Sequence, residues 1–188
     1  MSVVFTPQRR KLSADQFEQI GRTGILGPEA RVELLDGEMI EMAPIGSRHA
    51  SAVCFLSRHF TLAAGSAALV RTQNPLRLAD DSEPQPDLML IRPKADRYRS
   101  AHPRPADVLL LIEVADTTLR FDRETKLPLY ARHGVPEVWI LDLDAERLEV
   151  YREPAAGGYR RKLERQGAES IVPLALPTVT LEIRTIFA

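Results

Sequence analysis

Residues 106–135 read ADVLLLIEVADTTLRFDRETKLPLYARHGV. The stretch opens with an apolar run, Val108–Ile112, long enough for one strand, and a carboxylate, Glu113, follows at once. A carboxylate at the end of a buried strand is costly unless something cationic meets it. A lysine, an arginine or a metal ion could do so. Polar residues Asp116, Thr117 and Thr118 come next, then a charged helical segment with Asp122 and Lys126 four apart, Tyr130, and a closing Gly134. A second apolar strand, Pro136–Leu143, succeeds it. Strand, helix and strand in this order predict a mixed α/β sheet with helices on its faces.

Working outward, Asp87–Ile91 is a short buried strand introduced by Pro86. Between it and the central strand, Arg92–Pro105 is a long loop with Arg92, Lys94, Arg97, Arg99 and Arg104 against one acid, Asp96. Upstream, Ala67–Thr72 and Leu76–Ala79 read as strands, and Asp80–Pro86 as an acidic loop. Arg48–Ala64 places Val53, Leu56 and Phe60 at helical spacing and stops at Gly65. Asp36-Gly37 is a hairpin turn between two alternating segments within Val32–Met42. Ser13 and Gln16 form a capping box for a short helix to about Ile20, and Gly21, Gly24, Gly27 and Pro28 make a loop. Downstream, Arg147–Arg152 and Tyr159–Leu163 predict a hairpin around Gly157-Gly158, and one or two short strands end the chain.

The 188 residues, 44% hydrophobic, suit a single domain spanning 1–188 with a substantial core. No apolar run approaches the ~20 residues of a membrane span. In MSVVFTPQRRKLS the basic residues follow the apolar piece, the wrong order for a secretory signal. The one cysteine, Cys54, excludes an internal disulfide and a cysteine zinc cluster. These features predict a cytoplasmic protein. A net charge of −1 gives no global nucleic-acid signature, so such binding would need local patches.

Chemistry concentrates in two carboxylates. Asp87 opens one buried strand and Glu113 closes another. If the strands are neighbours, the two groups meet, repel and call for a divalent cation. Oxygen-only donors favour Mg²⁺, with Mn²⁺ as a substitute, because Mg²⁺ needs few protein carboxylates and keeps its waters. Such an ion activates water and offsets charge on a phosphate oxygen. A nearby lysine would add transition-state stabilisation.

Asp87, Glu113 and a following lysine resemble the PD-(D/E)xK nuclease superfamily. The order Glu33-Leu-Leu-Asp-Gly-Glu38, His49, Gln85-Pro-Asp87, Ile112-Glu-Val114, Asp122, Lys126, Tyr130, Gly134–Asp142 and Val150-Tyr151 resembles the Uma-two family, described as "putative restriction endonuclease". The resemblance runs from about Leu12 to Tyr159. It implies a restriction-endonuclease-like core: helices flanking a central mixed β-sheet, with an N-terminal hairpin and C-terminal strands added. It also implies Mg²⁺-dependent hydrolysis of DNA, with Asp87 and Glu113 as metal ligands. It further implies that Asp87, Glu113, Lys126 and Glu33 form the catalytic set. Two departures stand out. Ala115 occupies the position two residues after Glu113 where the superfamily keeps its lysine, so Lys126 replaces it from the next helix. The first core helix lacks an acidic residue, and Glu33 or His49 stands in.

Each residue also has a bland reading. Asp87 could cap a loop, and Glu113 could pair with Arg120. Lys126 could form an ordinary helical ion pair with Asp122. As the displaced catalytic lysine in the first turn of its helix, it is instead expected to cost cleavage on the order of 10²–10³-fold when replaced by alanine, and only about 1 kcal/mol of stability. Asp122 is its tether or a helix N-cap. Glu33 could lie on a solvated face, and His49 could be a surface residue. Asp116 and Thr117 fit turn chemistry equally well. Trp139, Ile140 and Tyr130 are core, Tyr130 with a polar tip. Cys54 lies inert on the apolar face of its helix. The basic loop could track phosphates. The alternative to an enzyme is a nuclease-like fold kept as a binding or assembly module, but a decayed site would lose one of its three key groups, and all three are present. Cutting both strands of a duplex would favour a homodimer, with Val179–Ile183 as a possible interface.

Overall fold

The computed structural model describes residues 10–27 and 30–188. The expectations on the N-terminal residues 1–9 and on Pro28 lie outside them. Helix α1 (Ala14–Arg22) starts at the expected capping box, Ser13 with Gln16, and runs past Gly21. Strands β1 (Val32–Leu35) and β2 (Glu38–Glu41) form a hairpin across Asp36-Gly37, both at positive φ. The long helix α2 (Ser47–Ala64) follows, then β3 (Leu69–Thr72), β4 (Leu88–Ile91) and β5 (Val108–Ala115). Residues 119–132 are helical in three pieces: α3 (Leu119–Phe121), a π-helical turn (Asp122–Lys126) and α4 (Leu127–Arg132). Strands β6 (Glu137–Asp142), β7 (Arg147–Ala155) and β8 (Gly158–Gln166) complete the main sheet. A small pair, β9 (Ser170–Ile171) with β10 (Leu181–Glu182), closes the chain.

The main sheet is mixed, in the order β3-β4-β5-β6-β7-β8. Only β5 and β6 run parallel, joined through the helical segment between them. Side chains alternate across the central strands, as strand geometry requires. Leu110, Ile112 and Trp139 face α2 through Ala52, Leu56 and Phe60, with Val179, Leu181 and Ile183 sealing that layer. Leu111, Val138 and Ile140 face the opposite layer, where Leu129 and Tyr130 of α4 cover them. Glu113 falls on this second face by the same alternation, which points it at the helical segment.

Several expectations change. The central strand does not stop at Glu113. Parallel pairing with β6 extends it to Ala115, so Glu113 lies within a fully buried strand. Leu76–Leu78 is not a strand; only an isolated bridge, Ala79 to Ser82, forms there. The helical segment begins at Leu119, not near Asp122. Cys54 is exposed, because the buried stripe of α2 is Ala52, Leu56, Phe60 and Ala64. Val179, Leu181 and Ile183 are buried in the chain's own core and offer no dimer interface. Among the described residues, no helix is long and apolar enough to cross a membrane.

Candidate active site

Register brings the two carboxylates together. Leu88 pairs with Ile112 across antiparallel strands, so the next step along the ladder sets Asp87 opposite Glu113. Two backbone amides then interlock them. The Asp87 N–H donates to Glu113 Oε2 (3.3 Å), and the Val114 N–H donates to Asp87 Oδ2 (2.9 Å). His49, from the first turn of α2, sets Nε2 3.0 Å from Asp87 Oδ1. Its Nδ1 is buried without a partner.

The lysine comes from the helical segment. Lys126 Nζ stands 3.2 Å from Glu113 Oε1 and 3.2 Å from Glu33 Oε2. It is only 5% exposed, so it is not the surface group expected near a helix start. Pro128 explains the local backbone. Proline lacks an N–H and its ring crowds the carbonyl four residues back, which strains an ordinary α-helix. Here the preceding turn widens, and the Leu127 N–H donates to the Asp122 carbonyl, five residues back. Both Asp122 and Lys126 are buried by this turn. Asp122 is not an N-cap; it accepts a 2.7 Å hydrogen bond from the Thr118 hydroxyl inside the segment.

Two contributors had weak signals in the sequence. The Tyr130 hydroxyl donates to Glu113 Oε1 at 2.6 Å, and its spacing of four from Lys126 on a helix was the available clue. The Gln85 N–H donates to Glu33 Oε2 at 3.1 Å, which ties the β1–β2 hairpin to the loop before β4. Glu33 is thus buried, not solvated. Asp116 pairs with Arg48 (3.3 Å) at the rim. Arg120 bonds Glu124, not Glu113.

Glu33, Asp87, Glu113 and Asp122 are four buried carboxylates, met by one buried lysine and by His49. The electrostatics record this shortage of positive charge. Burial pushes the Glu113 carboxyl up to about 8 despite the pull of Lys126, and the Asp87 charge adds to the rise. Burial likewise drives Asp122 to about 6, against the pull of Lys126. Burial would lower Lys126, but the surrounding carboxylates raise it above its ordinary value and keep it a cation. Burial would raise Asp87 too, yet the His49 contact and the Val114 amide hold it below the usual carboxylate range. These groups line a cavity of about 320 Å³ that opens to solvent.

Fit to a metal can be judged from the donors. Asp87 and Glu113 bring hard oxygens to the lining of one cavity, the donor type Mg²⁺ accepts with few protein ligands. A tight three-donor group among the described residues lies elsewhere, at Glu18, Glu83 and His102. Arg77 already supplies positive charge there, reaching both Glu18 and Glu83.

The family profile described as "Putative restriction endonuclease" (Uma2) matches residues 14–184. The chain belongs to this family. The match takes in every residue of the cluster. A crystal structure titled as a putative nuclease belonging to DUF820, from Anabaena variabilis ATCC 29413, is similar with a TM-score of 0.71. It shares 15% identity, over 94% of this chain and 97% of that one, a likeness of fold. The comparison with curated proteins gives no match. Family and fold make the Uma2 chain a nuclease-like protein, as the resemblance implied.

Proposed function

We propose that this Uma2 chain is a Mg²⁺-dependent endonuclease of the PD-(D/E)xK type that hydrolyses DNA phosphodiester bonds. The charge imbalance carries the reading: four buried carboxylates converge on one lysine beside an open cavity. Burial pushes two of the four, Glu113 and Asp122, toward holding a proton, and an added cation would let them ionise. Asp87 and Glu113 would hold the ion, with Mn²⁺ able to replace Mg²⁺. When bound, the ion supplies water activation and charge neutralisation at a phosphate oxygen.

The chain's own groups do the rest. Lys126 lines the cavity as a fixed cation and stabilises the negative charge that builds on the phosphoryl group. Glu33 holds the lysine together with Glu113. His49 fixes the orientation of Asp87, and Tyr130 fixes that of Glu113. The lysine reaches this place from a helix because Ala115, on the strand, has no charge to offer.

The test is cleavage of plasmid, duplex and single-stranded DNA with Mg²⁺ or Mn²⁺, with Asp87→Ala as control. Cleavage should need the metal, vanish in Asp87→Ala, and fall on the order of 10²–10³-fold in Lys126→Ala. Intact metal binding with no cleavage of any DNA would favour a nuclease-like binding or assembly module.

A further inference from the structure

One wall of the cavity is apolar. Ile40 and Met42, from β2 and its exit, stand with Pro44, Ile45 and Phe121 beside the carboxylates. Ile45 is 42% exposed and Met42 is half-buried, so this surface awaits contact. The wall is held in place. Arg31 Nη1 donates to the Ala43 carbonyl at 2.8 Å, and Arg48 ties the start of α2 to Asp116. Gly46 lets the loop pack closely, since a Cβ there would lie 3.2 Å from Asp116 Oδ2.

The charges around it do not suit a duplex. The cavity lining includes Glu41 and Asp116 beyond the four buried acids, and its fixed cations are Arg31 and Lys126. A double helix is gripped by many basic contacts along its phosphates. At about 320 Å³ the cavity is at the small end of ligand pockets, a size for one nucleotide rather than for the breadth of a duplex. A base taken out of its stack is received by apolar or aromatic side chains in this way.

We infer that the wall of Ile40, Met42, Pro44, Ile45 and Phe121 seats one unstacked nucleobase of the strand being cut. Single-stranded or frayed DNA is then preferred over intact duplex. This rests on the nuclease reading above and adds the substrate form.

The experiment compares kcat/KM, with Mg²⁺ and the full chain, on one oligonucleotide as a single strand and as a blunt duplex. Met42→Ala and Ile45→Ala, both off the main sheet, are run beside the wild type, with thermal melts to check folding. In parallel, an oligonucleotide containing 2-aminopurine is titrated with protein. The expected result is roughly tenfold or greater preference for the single strand. KM for it should rise about five- to tenfold in the variants, the size of one lost base contact. Saturable growth of 2-aminopurine emission should accompany binding and be diminished in both variants. Equal or better cutting of the duplex, or unchanged KM in the variants, would overturn the inference and leave the nuclease reading standing. If no DNA is cut, the nuclease reading fails and the fluorescence arm decides: a variant-sensitive rise supports the base site, and no rise refutes it.

Discussion

Removing Lys126 should unfold this protein far more readily than a surface lysine would. In Lys126→Ala, Glu33 and Glu113 lose the cation 3.2 Å from each and stay buried. Leaving a buried charge unpaired costs about 3–5 kcal/mol. The expected loss is therefore about 3–4 kcal/mol at pH 7.5 without metal. Its pH dependence has a fixed sign. Glu113 is already at about 8 in the folded wild type, so the stability from its proton is fully present below 4.5 and is lost between 4.5 and about 8 in both proteins alike. Without the lysine Glu113 is raised further, so the extra deficit from this group grows only as pH rises through about 8. Urea unfolding at pH 7.5 and pH 9, in EDTA and then with Mg²⁺, measures it. A loss within 1 kcal/mol at pH 7.5 in EDTA would refute the buried pairing and restore the lysine to the surface.

Millimolar Mg²⁺ or Mn²⁺ should raise the melting temperature of the wild type through binding to the native state, and should do so little in Asp87→Ala; equal shifts in both would remove Asp87 from the metal site. Tyr130→Phe deletes a buried 2.6 Å hydrogen bond to Glu113 and should destabilise by about 1.5–3 kcal/mol in chemical denaturation. Burial alone would raise Glu149, but hydrogen bonds from Arg123, Lys162 and Tyr151 hold it down to about 2. With its folded value below the unfolded 4.5, its stabilisation is full above 4.5 and fades as pH falls toward 2, on the order of 3 kcal/mol in all. Glu149→Gln should therefore be less stable at neutral pH and lose less between pH 5 and 2, as followed by acid titration of the unfolding midpoint.

Much of this protein was determined by local sequence alone. The capping box at Ser13, the Asp36-Gly37 turn, the periodicity of α2 and the apolar runs at 88–91, 108–112 and 137–142 each specify an element through chemistry within a few residues. Asp87 and Glu113 stood out for the same reason, as charged groups beside apolar runs, whereas Lys126 stood out through the family resemblance. Tertiary structure decided the rest. Periodicity shows that a face is buried but not what covers it. Only pairing with β6 carried the central strand past Glu113 and put that carboxylate in the interior. Only the packing of the hairpin against the loop before β4 turned Glu33 inward onto Lys126. The widened turn before Pro128, which buries both Asp122 and Lys126, depends on a backbone hydrogen bond five residues back. Burial of a charge is a property of neighbours far away in sequence, so the chain's own order could name the lysine but not show that the fold depends on it.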